Sequence, residues 1–194
     1  MLIFGFEILW RTYSEQIQSL SGRLGFKRDF LEFLGYTVEV NSGEVYDKIK
    51  NMYVANPETL YVLLAHYSKA EPIQKTGKLI KFRNLPGGYA YEEAFLKRAV
   101  HPITRRFGSA PENLVRAAEV LGGLKCQFSD VSIEVPALPM IPLTYILWTG
   151  DDELQPLASI LFDSTAGHYL PTEDLAVLAE LTTSRLMLVS DHKK

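Results

Sequence analysis

A chain of 194 residues and 21.9 kDa with 20 Lys and Arg against 23 Asp and Glu carries a net charge of −3. Its 47% hydrophobic and 22% charged residues give the balance of a globular protein, long enough to bury about 70% of the surface its unfolded form exposes. Disorder, collagen and coiled coil are excluded; the lone Cys126 excludes a disulfide scaffold and a thiolate-held iron–sulfur cluster, and the slight acidity gives nucleic-acid binding no electrostatic support.

The opening Met1–Trp10 is apolar but contains Glu7, and neither a basic leader nor a small-residue cleavage site flanks it, which speaks against a signal peptide. The first forty residues predict one or two short helices running into a strand at Tyr36–Val40. Asn41-Ser-Gly43 supplies turn chemistry and Val45-Tyr46 begins a return strand, so a hairpin is expected here. Asn56-Pro57-Glu58 predicts a helix start: a capping side chain, a proline preset for the first turn and an acid near the positive end. In that helix Leu60, Leu63, Leu64 and Tyr67 form one stripe while Val62 and His66 lie on another, which predicts burial on more than one side.

After Gly77, Leu79–Phe82 reads as a short strand. Leu85-Pro-Gly-Gly88 turns the chain into a helix from about Tyr89 to Val100, which Pro102 ends or kinks. Ser109-Ala-Pro-Glu112 matches a capping box, Leu114, Ala118 and Leu121 give the next helix a core face, and Gly122-Gly123 stops it. Lys125–Val135 is strand-like with a break at Ser129-Asp130. The apolar stretch from Val135 to Trp148 is interrupted by Pro136, Pro139 and Pro142, and no segment reaches the roughly 20 apolar residues of a membrane span. Leu143–Trp148 and Leu157–Phe162 flank an acidic loop and are apolar on both faces, as befits central strands of a sheet covered on two sides. Thr172 caps a last helix with Glu173 and Asp174 in its first turn and Leu175, Leu178, Thr182, Leu186 and Val189 on one face. Helices in the middle and strands late in the chain predict an α+β fold: a single compact domain over residues 1–194, its mainly antiparallel sheet packed with several helices. It is expected in the cytoplasm.

Several segments together resemble a known family. Leu64-Ala-His66-Tyr67, Phe82-Arg-Asn-Leu-Pro-Gly-Gly88, Leu138-Pro-Met-Ile-Pro-Leu143, Trp148-Thr-Gly-Asp-Asp-Glu153, Leu161-Phe-Asp163 and Tyr169-Leu-Pro-Thr-Glu-Asp174 are similar, in order and spacing, to a family of prokaryotic domains of unknown function. The resemblance covers about residues 30 to 190. Such domains occur mostly in anaerobic bacteria and archaea, and some follow a short iron–sulfur-binding domain. The resemblance implies an anaerobic setting near corrinoid or iron–sulfur enzymes and supplies no catalytic residues. This chain has no cysteine cluster, in contrast to the fused members.

Candidate sites follow from residue type and spacing. Gly87 and Gly88 entering a helix can expose amide groups at its positive end, an anion-binding arrangement that Arg83 and Tyr89 would border; equally, the glycines serve a tight turn. No cofactor is identified by any motif. His66 is either a buried, hydrogen-bonded imidazole or a base facing a cleft. Asp163 and His168 are close enough in sequence for the carboxylate to orient the imidazole, with Ser164 or Thr165 as a nucleophile; the Gly-x-Ser-x-Gly elbow is absent, and Asp and Ser are also usual turn residues at a strand end. Asp151, Asp152 and Glu153 suggest a divalent ion but share one polar loop. Lys97, Arg98, His101, Arg105 and Arg106 form a basic patch, an ordinary solvated face or else a surface suited to an anion or an acidic protein. Cys126 reads as a small buried hydrophobe.

These observations point first to a non-catalytic accessory protein that binds a small anionic ligand or a partner protein, which the resemblance implies is a metalloenzyme or an iron–sulfur protein. A small enzyme is the alternative; it requires at least two of His66, Arg83, Asp163 and His168 in one pocket, with a His–carboxylate contact within about 3.2 Å. A structural subunit of a larger metalloenzyme is the third reading.

Overall fold

The computed structural model describes residues 2–151 and 153–191. It begins with a single helix, α1 (Leu2–Gln18). Four short strands follow, β1 (Phe30–Phe33), β2 (Tyr36–Glu39), β3 (Val45–Asp47) and β4 (Met52–Tyr53), each antiparallel to the next. The expected hairpin is β2–β3, with Val38 opposite Val45. Strand β1 is an addition to the sequence reading. Leu34 and Gly35 both take positive φ, 50° and 77°, forming the two-residue turn that matches the twist of paired strands; a leucine in its first position disguises it.

Helix α2 (Glu58–Tyr67) starts where predicted, the Glu58 N–H donating to Asn56 Oδ1 at 3.2 Å. Its buried Leu60, Tyr61, Leu63, Leu64, Ala65 and Tyr67 cover most of its circumference. Strand β5 (Leu79–Lys81) leads through a 3₁₀ turn at Phe82–Asn84 into α3 (Gly88–Phe95). Pro102 does not end the helical path. A π turn at Leu96–Val100 precedes α4 (His101–Phe107), and His101 donates its N–H five residues back to the Leu96 carbonyl. The widened turn falls immediately before the residue that has no N–H to give.

Helix α5 (Glu112–Val120) lacks the expected capping box: no side chain caps it, because the Ala110 and Pro111 carbonyls already receive the Asn113 and Leu114 N–H groups in a tight entry turn. Its end is as read. Gly122, at φ 77°, donates to the Glu119 carbonyl and Gly123 to that of Ala118, the paired bonds of a left-handed helix stop.

The second sheet combines β5 with β6 (Leu124–Cys126), β7 (Val131–Leu138), β8 (Ile141–Trp148) and β9 (Leu157–Asp163), in the order β5-β9-β8-β7-β6, all antiparallel. As predicted, β8 is central; it is buried on both faces from Ile141 to Leu147. The prolines do not break these strands. Pro136 and Pro142 lie opposite each other, and the register shifts between Pro136 and Leu138, so the missing N–H groups fall where the ladder is already irregular.

One helical turn, α6 (Ala166–Tyr169), connects the sheet to α7 (Thr172–Asp191). The five predicted core positions of α7 are all buried. Its Thr183 hydroxyl donates to the Ala99 carbonyl in the π turn at 2.9 Å and lies 3.2 Å from the buried Tyr145 hydroxyl of β8. Arg185 is buried as well. Its guanidinium forms a bidentate pair with Asp47 at 2.6 and 2.7 Å, donates from Nε to the Leu34 carbonyl at 2.8 Å and lies 4.1 Å over the Tyr36 ring. This pair joins α7 to the four-stranded sheet. The arrangement is α+β, and among the described residues no helix is long and apolar enough to cross a membrane.

Candidate functional site

The end of α2 and the segment running from α6 into α7 enclose a groove of about 420 Å³ whose lining includes His66, Lys69, Gly167, His168 and Pro171. His66 is not the buried imidazole its helix suggested: its side chain is 39% exposed. Its Nδ1 lies 2.5 Å from Oδ2 of Asp174, in the first turn of α7. Holding a ring through Nδ1 fixes its plane and leaves Nε2 as the nitrogen for any other partner, as with oriented imidazoles in catalytic and ligand sites. Two of the four residues weighed for an enzyme, His66 and His168, therefore share a groove, and a His–carboxylate contact exists. The carboxylate is that of Asp174, which sequence reading used only as a first-turn acid.

His168 is positioned differently. Its Nε2 donates to the Glu71 carbonyl at 2.8 Å, and its ring stands edge-on to that of Tyr169 at 5.1 Å. Asp163 does not orient it. That carboxylate is buried and accepts bonds from the backbone N–H and hydroxyl of Thr165 at 3.0 and 2.7 Å, from the same two groups of Thr76 at 3.3 and 3.0 Å, and from the Gly77 N–H at 2.7 Å. Burial alone would raise its pKa, but the Thr165 N–H and hydroxyl and the N–H groups of Thr76 and Gly77 outweigh it and bring it down to about 2. The expected nucleophiles serve the same knot: Thr165 donates to Asp163, and Ser164 Oγ lies 2.6 Å from Thr76 Oγ1. Closeness in sequence does not pair Asp163 with His168: the reversal of the chain after β9 sends the two side chains to different partners.

The diglycine bend stands behind the groove. Gly87 takes φ 75°, Gly88 gives its N–H to the Leu85 carbonyl at 2.9 Å, and a Cβ at Gly88 would collide with the Phe82 carbonyl. Arg83 reaches Glu92 at 3.6 Å and lies 5.3 Å from the centre of the exposed Tyr89 ring. None of Arg83, Gly87, Gly88 and Tyr89 is among the residues lining the His66 groove. The bend is tied to it indirectly: the Thr172 hydroxyl, expected to cap α7, donates to the Pro86 carbonyl at 2.7 Å. Gly88→Ala is accordingly expected to cost about 1–3 kcal/mol through overpacking, read as a lowered urea midpoint, whereas an unshifted midpoint would show that the bend yields freely.

The remaining candidates separate. Asp151 accepts from the N–H groups of Glu153 and Leu154 at 2.9 and 2.8 Å, closing a loop turn; Asp152 lies outside the described residues. Among the described residues no group of three or more His, Cys, Asp or Glu side chains is placed to hold a metal ion. In the basic patch, Arg106 pairs with Asp191 at 2.5 Å, and Arg98 opens on a cavity between α3 and α7. Cys126 is half-buried on the edge strand β6 rather than in the core, and burial, with Glu134 nearby, pushes its thiol pKa up, away from the reactive thiolate.

Sequence reasoning passed over Asp174 as the partner of His66 and Asp47 as the partner of Arg185. The first pair spans 108 residues and the second 138, so no local spacing signals either. Comparison with known proteins adds one finding: the model of a family described as Domain of unknown function (DUF3786) matches residues 16–185. No curated protein and no solved structure matches the chain.

Proposed function

The chain belongs to this family of domains of unknown function, and from that premise we propose that it is an accessory protein that binds a small anionic ligand in the groove beside His66. One observation carries the reading. His66, Lys69 and His168 bring three nitrogen-bearing side chains to a groove with no carboxylate in its lining, on a chain with an acidic excess. Asp174 stands behind His66 and holds its ring in place, so the orientation of that ring is set before a ligand arrives, which lowers the cost of binding. The setting we propose is the one the resemblance implies: a cytoplasmic protein of anaerobes, working beside a corrinoid or iron–sulfur enzyme that is its partner.

Titration with inorganic phosphate and with succinate, followed through the histidine ring resonances, tests the site. Saturable shifts of His66 and His168 are expected, with Kd raised at least tenfold in the His66→Ala, Lys69→Ala double variant, about 1.4 kcal/mol or more. Unmoved histidines with both anions, or the same affinity in the double variant, would reject the assignment.

A second reading is favoured by the 2.5 Å contact between His66 and Asp174: an imidazole so oriented is equipped for general acid–base catalysis. If the groove turns a ligand over, Asp174→Asn should lower the rate by roughly 10²–10⁴-fold. A non-catalytic module shows no turnover in either form.

A further inference from the structure

The first half of α7 separates two cavities. Asp174 faces His66, while Glu173, Ala176 and Glu180 belong to the wall of a second cavity, of about 220 Å³, formed against α3 and the π turn. The lining includes Phe82 and Phe95, whose rings stack face to face with centroids 4.1 Å apart and planes 4° from parallel. Ala94, Ala99 and Ala176 line the cavity too, with side chains too short to fill it. Arg98 joins the wall from the π turn, a local distortion that helices often carry at functional sites.

The charges make the cavity more than an apolar gap. Arg98, Glu173 and Glu180 all line it, yet among the described residues none of the three is engaged in an ion pair, with each other or with another side chain. A cation on one wall and carboxylates on the other, held apart over an apolar floor, are complementary to a molecule that carries both charges and an apolar body. The size sets the scale of that body. An apolar cavity of about 150 Å³ holds benzene, so 220 Å³ accepts a benzyl or isobutyl group with its charged head at the mouth.

We propose that this cavity is a binding site for a free α-amino acid with a large apolar side chain. The side chain rests on Phe82 and Phe95, the carboxylate meets Arg98, and the ammonium group meets Glu173 and Glu180. The site is separate from the His66 groove and does not depend on how that groove is used.

Calorimetric and amide-resonance titrations of the full chain with L-phenylalanine and L-leucine test it. Saturable binding is expected, with Kd about 1 mM or tighter and with shifts confined to residues 82–99 and 173–180. Phenethylamine, which lacks the carboxylate, and 3-phenylpropionate, which lacks the ammonium group, should each bind at least tenfold more weakly, and glycine should not bind. Arg98→Gln and Glu180→Gln should each weaken L-phenylalanine at least fivefold, and Ala176→Trp, which fills the cavity, should abolish binding. The two charge substitutions lie at the cavity rim and decide the matter if the tryptophan variant does not fold. No saturable binding of either amino acid, binding of either singly charged analogue as tight as that of L-phenylalanine, or full affinity in the charge variants overturns the proposal.

Discussion

Arg185→Ala should lower the stability by about 3–5 kcal/mol, the usual result of leaving one member of a buried ion pair alone. For a chain of 194 residues that corresponds to a fall in Tm of roughly 6–20 °C, at about 2–4 °C per kcal/mol. Both side chains are almost completely buried, 2% and 3% exposed. The guanidinium satisfies Asp47 through two bonds, and Asp47 Oδ1 also receives the N–H groups of Ile49 and Lys50 at 3.0 and 3.1 Å. Burial pushes the Asp47 pKa up, but these bonds outweigh it and hold the carboxyl below its ordinary range. Alanine at 185 strands that charge, and the Leu34 carbonyl loses its donor with it. Arg185→Met combined with Asp47→Leu should recover most of the loss, since the desolvation cost of both ions disappears together. Urea unfolding of the wild type, the single variant and the double variant measures this. A double variant no more stable than the single one would mean that the pair contributes shape rather than charge compensation.

Asp163→Asn should cost roughly 2–3 kcal/mol at neutral pH, because an amide presents its own N–H₂ group to donors that a carboxylate accepts. The Gly77 N–H, 2.7 Å from Oδ2, and the four Thr76 and Thr165 donors on Oδ1 cannot all be served. The pH dependence follows from the folded pKa of about 2 against an ordinary carboxyl value of 3.8. A carboxyl with a depressed folded pKa stabilises above its unfolded value, and that stability disappears as pH falls through the folded one. The contribution of Asp163, about 2 kcal/mol, is therefore complete above pH about 4 and lost between about 4 and 2. Unfolding free energies of wild type and Asp163→Asn, compared from pH 6 to pH 2, should converge over that window. Curves that stay parallel would show that the carboxylate is held by something other than its charge.

Where burial and local periodicity agree, the fold was legible. The two-sided apolar character of Leu143–Trp148 marked the central strand, and Leu175, Leu178, Thr182, Leu186 and Val189 marked the buried face of α7. Glycine chemistry located the stop of α5 at Gly122. Local rules failed where tertiary partners reassigned a side chain: Thr172 has cap spelling but donates to Pro86, and Ser109 has capping-box spelling but caps nothing. The turn at Leu34-Gly35 was hidden because leucine seldom adopts positive φ. The site was half legible for the same reason. His66 and His168 stood out by residue type, but the carboxylate that matters to His66 arrives from a helix 108 residues later.

The Asp47–Arg185 contact also governs how the chain matures on the ribosome. The four-stranded meander leaves the exit channel long before its guanidinium is made: 138 residues separate the two ends of the contact, roughly 7–28 s of translation at about 5–20 residues per second. Until then Asp47 has no guanidinium to pair with, so this contact cannot fasten the meander to α7 before that helix has been made and has emerged.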